Sequence, residues 1–126
     1  PEQPYTAADL DYNSDCRANQ EQNDDSARPA ISDSISNMDD YDVVFVGYPI
    51  WWGREPKIFD TFLESYDFSG KTIIPFCTSG SSGIGGSVSS IQTLASNANW
   101  MSGQRFSGSD GLSAVESWVS GLPLGR

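Results

Sequence analysis

Two short apolar runs decide what this chain can fold into: Val43 to Val46 within "YDVVFVGY", and Ile73 to Phe76 within "KTIIPFCT". Each is apolar at consecutive rather than alternate positions, the pattern of a strand covered on both faces in a parallel sheet. Each leads through a loop into a helical stripe. Behind Pro56, the residues Ile58, Phe59, Phe62, Leu63 and Tyr66 fall on one helix face, and a turn at Ser69 and Gly70 follows. Beyond the second run, Ile84, Val88, Ile91 and Leu94 repeat that spacing. Pro75 cannot donate to a strand ladder, so a bulge or an irregular strand end is expected there. A third, weaker strand is expected around "NWM" or "QRFS". A last helix follows, with the stripe Leu112, Val115, Val119 and Leu122, a capping box of Ser113 and Glu116, and Gly121 to end it. This order predicts a doubly wound α/β sheet with right-handed crossovers.

The chain of 126 residues suits one domain, residues 1–126. Residues 1–28 are polar and acidic and read as an irregular wrapping segment. Ile31, Ile35 and Met38 are spaced for a short helix with Pro29 near its start. Arg28 is expected to pair with Asp24 or Asp25. Seven basic residues against seventeen acidic ones give a formal charge of −10, which argues against nucleic acid and anionic membranes as partners. Such a surface either steers the protein toward basic partners or only keeps it soluble. No apolar run approaches the roughly 20 residues of a membrane span. The opening "PEQPYTAADL" has neither a basic cluster nor an apolar core, so no signal peptide and a cytoplasmic location are expected. Because the chain begins at Pro1 without Met, it reads as processed or as a fragment.

Histidine is absent, which excludes histidine-dependent catalysis and histidine-ligated metals. Cys16 and Cys77 are too far apart for a metal or redox motif, and Cys77 reads as a buried thiol. Asp24–Asp25 and Asp39–Asp40 fit no calcium loop. The serines of "TSGSSGIGG" do not match a nucleophile elbow. Trp100 and Trp118 read as packing residues, Tyr48 as either pocket wall or core, and Arg54 and Lys57 as part of a solvated face.

Both unusual loops follow strands. In "PIWWG", Pro49 stiffens the exit from the strand and two indoles, Trp51 and Trp52, offer a flat wall for a planar aromatic ligand. In "TSGSSGIGG", glycines let backbone N–H groups converge ahead of a helix, an arrangement suited to an anion or a polar ring edge. Ligands of doubly wound sheets sit beyond the carboxyl ends of the strands.

The stretches "DVVFVGYPIWWG", "FLESYDFSGKTIIPFCTSGSSGIG" and "RANQEQNDDSARPAI" together resemble the flavodoxin family, across nearly the whole chain. The resemblance implies a flavodoxin-like parallel sheet, an FMN cofactor and a redox role with a partner protein or a small-molecule electron acceptor. It implies that Pro49, Ile50, Trp51, Trp52 and Gly53 form the first flavin loop, and Thr78, Ser79, Gly80, Ser81, Ser82 and Gly83 the second, with no catalytic side chain and no metal. By the same resemblance the sequence supplies the equivalents of strands three, four and five, without the first strand, phosphate loop, first helix and second strand. FMN binding is then expected to be weakened. The edge of strand 43–47 is expected to pair with another chain, giving a homodimer or swapped assembly. The alternative is a cofactor-free module for interaction or assembly.

Overall fold

The computed structural model describes residues 1–123. A 3-10 turn at Ala8–Leu10 and helix α1 (Arg17–Gln22) precede the sheet. Then come β1 (Val43–Pro49), α2 (Lys57–Glu64), β2 (Thr72–Thr78), α3 (Gly85–Gln92), β3 (Asn99–Trp100), β4 (Gln104–Phe106) and α4 (Leu112–Ser120). β2 is central. It pairs in parallel with β1 on one side, Val43 opposite Thr72, and with β3 and β4 on the other. All pairings are parallel, as continuous apolar strands followed by helices require.

Both halves of the expected third strand exist, as two pieces of one line. Thr72 faces Asn99 in the first piece and Phe76 faces Gln104 in the second, so the third strand carries one extra residue between them. Lys71 O and Ile73 O accept from Asn99 N and Met101 N, so this edge of β2 points at the third strand. Pro75, two residues on, has its missing N–H on the same edge. The ladder loses a donor there, and the neighbouring strand bulges at 101–103.

β2 is covered on both faces, with Ile73, Ile74, Pro75 and Cys77 all buried. β1 is not, contrary to the sequence expectation. Val46 and Tyr48 are buried against the α2 and α3 side, while Val43 and Phe45 on the opposite face stay 36% and 42% exposed. Trp118 of α4 reaches across that face, edge-on to Phe45 and Phe106 at 6.2 and 5.6 Å and tilted against Phe76 at 6.0 Å. Apolarity at every position shows what a strand can bury, and the packing around it decides what it does bury. On the other edge of β1, no strand pairs among the described residues.

Other expectations are corrected. Residues 29–37 form no helix. Only a 3-10 turn at Met38–Asp40 appears, and the chain before it is tied by Ile35 N donating to the Tyr66 hydroxyl at 2.8 Å. Ser34, Ser36 and Asn37 are poor helix formers, so the residues of this stretch give a helix little support. α4 begins one residue before Ser113, at Leu112, with Gly111 as N-cap and no side-chain cap, so the capping box does not form. Its stripe is largely in water, Leu112 being 73% exposed. Gly121 does end that helix. Residues 1–28 are less irregular than expected because they contain α1, whose N-cap Cys16 accepts from Asn19 N. Cys16 and Cys77 are both buried free thiols.

Candidate functional site

The first loop leaves β1 through Pro49 and closes on itself. Trp51 N donates to Arg54 O at 2.9 Å, and Arg54 N donates back to Trp51 O at 3.1 Å. Between them Trp52 and Gly53 have φ of 54° and 77°. Positive φ at both central residues is the signature of a type I′ turn, which favours Asn-Gly. Gly53 suits this conformation. Trp52 is forced into it, a bulky residue in the left-handed region, at a cost on the order of 1–3 kcal/mol. Its ring is nonetheless 65% exposed. The fold thus spends strain to hold an indole outward.

Both indoles turn toward the N-terminal segment. Tyr5 stands edge-on to Trp51 at 5.4 Å, Tyr12 edge-on to Trp52 at 6.5 Å, and Trp52 Nε1 donates to Asn19 Oδ1 at 2.7 Å. Between them lies a largely apolar cleft of about 330 Å³, with Ile50, Trp51 and Trp52 on one side and Leu10, Tyr12, Ala18, Asn19 and Gln22 on the other. That volume falls at the lower end of small-molecule sites. Gln22 fastens the two sides, its Nε2 donating to Trp51 O at 2.9 Å and Glu55 O at 3.1 Å.

The second loop sits beside the first. Ile50 N donates to Thr78 O at 3.0 Å, and a Cβ at Gly86 would meet Gly53 O at 3.4 Å. Thr78, Gly80, Ser81, Ser82 and Gly83 are exposed, and Ser79 folds inward, its Oγ donating to Ser82 O at 2.7 Å. The structure therefore brings the two loops together. The cleft at the indoles, however, is walled by the first loop and the N-terminal segment, and none of residues 78–83 lines it.

Arg105, unforeseen in the sequence, anchors the second loop. Its Nη2 donates to both Ser79 O and Gly80 O at 2.8 Å. Tyr48 belongs to the core, its buried hydroxyl paired with Ser87 Oγ at 2.8 Å and its phenol pushed up to about 12, first by burial. Beneath the Trp turn, Glu55, Lys57 and Asp60 are all buried, which corrects the reading of Lys57 as solvated. Arg28 reaches Glu64 at 2.6 Å and Asp60 at 3.8 Å, and takes only the backbone carbonyl of Asp25 rather than an Asp24 or Asp25 carboxylate. Burial, then the neighbouring Asp60 carboxyl, push Glu55 far above the usual carboxylate range.

A parallel βα sheet with an aromatic cleft beyond the carboxyl end of a strand is the architecture of the doubly wound α/β class, whose ligand sites lie at that end. Within that class the chain belongs to the flavodoxin family, whose model, described as Flavodoxin, matches residues 1–122. The chain is 40% identical to a protein from Bacteroides uniformis described as a flavoprotein, with a TM-score of 0.89 over 95% of this chain and 77% of that one. A second such protein, from Bacteroides eggerthii, is 42% identical, with a TM-score of 0.84 over 95% and 76%. A flavoprotein from Lactobacillus acidophilus, solved in complex with FMN, is 24% identical with a TM-score of 0.58 over 81% and 65%, and shares the fold. No curated protein matches. No helix among the described residues is long and apolar enough to cross a membrane.

Proposed function

We propose that the chain is an FMN-binding electron-transfer flavoprotein. The observation that carries this reading is Trp52, kept exposed at a strained φ of 54° on the rim of an apolar cleft. Family membership supports the choice of flavin. Pro49, Ile50, Trp51, Trp52 and Gly53 would hold the ring, and the backbone of Thr78, Ser79, Gly80, Ser81, Ser82 and Gly83 would meet its polar edge. The flavin, when bound, supplies the redox chemistry. The protein's own part is to wall the ring, exclude water from one face and surround it with negative charge, which opposes a second negative charge on the reduced ring.

The residues fit the ring better than the phosphate. Among the described residues the cations nearest the two loops are Arg54 and Arg105. Arg54 is engaged with Asp25 at 3.3 Å and Ser90 at 2.8 Å, and Arg105 with the second loop. This chain should therefore bind riboflavin and FMN with similar affinity. Titration of each flavin, followed by quenching of its fluorescence, tests the reading. Absence of quenching by either, with the protein folded, overturns it. The acidic surface suits a basic redox partner, or a small-molecule acceptor at the cleft.

A second reading, an assembly module, has its own support in the unpaired edge of β1, beside which Val43 and Phe45 are exposed. Backbone donors and acceptors on such an edge recruit a strand from another chain, here a second copy.

A further inference from the structure

The Trp turn rests on a cluster of charges that do not balance. Glu55 directly follows the turn and is fully buried, and Asp60, one helical turn into α2, is nearly so. The Asp60 carboxyl neighbours that of Glu55, and each keeps a buried oxygen to which no group donates, Glu55 Oε1 and Asp60 Oδ1. Two carboxylates cannot donate to one another, so the contact is repulsive unless a proton sits in it.

The surroundings do not neutralise both. From the segment after α1, Asp24, Asp25 and Arg28 face the cluster, and from α2 come Lys57, Asp60 and Glu64. The turn contributes Arg54 and Glu55, α3 only the Ser90 hydroxyl, and β1 the Tyr48 phenol. Three cations thus serve five acids. Lys57 lies 3.5 Å from Asp25 and 3.8 Å from Asp60, and Arg28 is held by Glu64. Glu55, the most buried of these acids, has Arg54 Nε at 3.9 Å as its cation, without a hydrogen bond. The N-terminal end of α2 favours one anion nearby, through its unpaired backbone N–H groups.

We propose that the fully buried Glu55 keeps its proton at neutral pH, turned toward the Asp60 carboxyl group, and acts as a positioning residue for the Trp turn. With the proton in place, Glu55 Oε2 accepts from Ser90 Oγ at 3.3 Å, tying the turn to α3, while Gln22 holds the Glu55 carbonyl. When the proton leaves to bulk water, two adjacent anions are trapped in a dry site and Glu55 must move outward. Trp51 and Trp52, four and three residues before it in the closed turn, move with it. The proposal concerns the ligand-free chain, so it stands or falls apart from flavin binding.

The test follows the indole N–H resonances of the ligand-free protein from about pH 6 to about pH 9.5, with Trp51→Phe and Trp52→Phe used for assignment. One titration near pH 8 is expected to shift both resonances, and to vanish in Glu55→Gln, which keeps the shape and removes the acid. A flat wild-type profile, or the same titration in Glu55→Gln, overturns the proposal. Should that variant not fold, infrared spectroscopy of the wild-type protein decides. A protonated carboxyl band present at about pH 6.5 and lost by about pH 9.5 supports the retained proton, and its absence overturns it.

Discussion

Replacing Gly103 by alanine separates two energies that the bulge beside β2 combines. Gly103 has φ of 81°, and a Cβ built there would lie 2.6 Å from Pro75 O, 2.9 Å from Pro75 Cγ and 3.2 Å from Ile84 Cδ1. Left-handed backbone costs an L-residue about 1–2 kcal/mol. Overpacking adds about 1–3 kcal/mol, toward the upper end here because the obstacle is backbone. Restricting the unfolded chain returns about 0.4–1 kcal/mol. The expected net loss is about 2–4 kcal/mol. Gly70 is the control, with φ of 77° but nothing within 4 Å of its Cβ. Gly70→Ala therefore carries the backbone strain alone, a net loss of about 1 kcal/mol. Urea unfolding of both variants, followed by far-ultraviolet circular dichroism, gives the two values from midpoints at unchanged slope. If Gly103→Ala loses no more than Gly70→Ala, the close seating of the bulge on Pro75 is refuted.

Trp52→Asn creates the Asn-Gly pair that a type I′ turn prefers, so the urea midpoint should rise while flavin affinity falls about two- to tenfold through lost stacking. A lowered midpoint would show that the indole's bond to Asn19 outweighs its backbone strain. Arg105→Ala removes two donors to the second loop. Its amides at residues 80–83 should exchange faster with solvent, and flavin binding should weaken roughly tenfold, about 1.4 kcal/mol. Because Glu55 binds its proton more tightly in the folded chain, its contribution to stability is full below the ordinary glutamate value and is lost as pH rises through about 8. Unfolding free energies measured across that window should fall in the wild type and flatten in Glu55→Gln. Phe45→Asp should abolish self-association in sedimentation experiments. A wild-type chain that remains monomeric at every concentration refutes the assembly reading.

β2 was fully legible in the sequence because both its faces are buried, and an uninterrupted apolar run states that directly. β1 carries the same run and was read the same way, yet its covering depends on α4, which offers one indole to that face. The helix expected over Ile31, Ile35 and Met38 fails because three apolar residues at helical spacing do not outweigh the low helix propensity of the serines, aspartate and asparagine between them. The two loops were legible as breaks in pattern at strand ends. The conformation of Trp52 was not, since nothing in a tryptophan announces a positive φ. Lys57 reads as part of a solvated face because the segment that covers it, around Asp25, comes from some thirty positions earlier. Arg105 was beyond reach for a related reason: its direction is set by a proline on the neighbouring strand.

That dependence makes the spacing between Trp100 and Arg105 a counted quantity. Side chains along a strand alternate between faces, so the extra residue opposite Pro75 inverts the alternation midway through the third strand. Beyond it Arg105 lies level with Cys77, on the side of α3, and Phe106 level with Thr78, against Trp118. Deleting a single residue from 101–103 would remove that extra residue and make the third strand regular, with Arg105 still level with Cys77 and Phe106 with Thr78, so the strand would have to run flat past the missing donor of Pro75. The extra residue is therefore slack rather than register: it lets the strand arch over a proline while the Arg105 clasp and the Phe106 seat stay in step with β2.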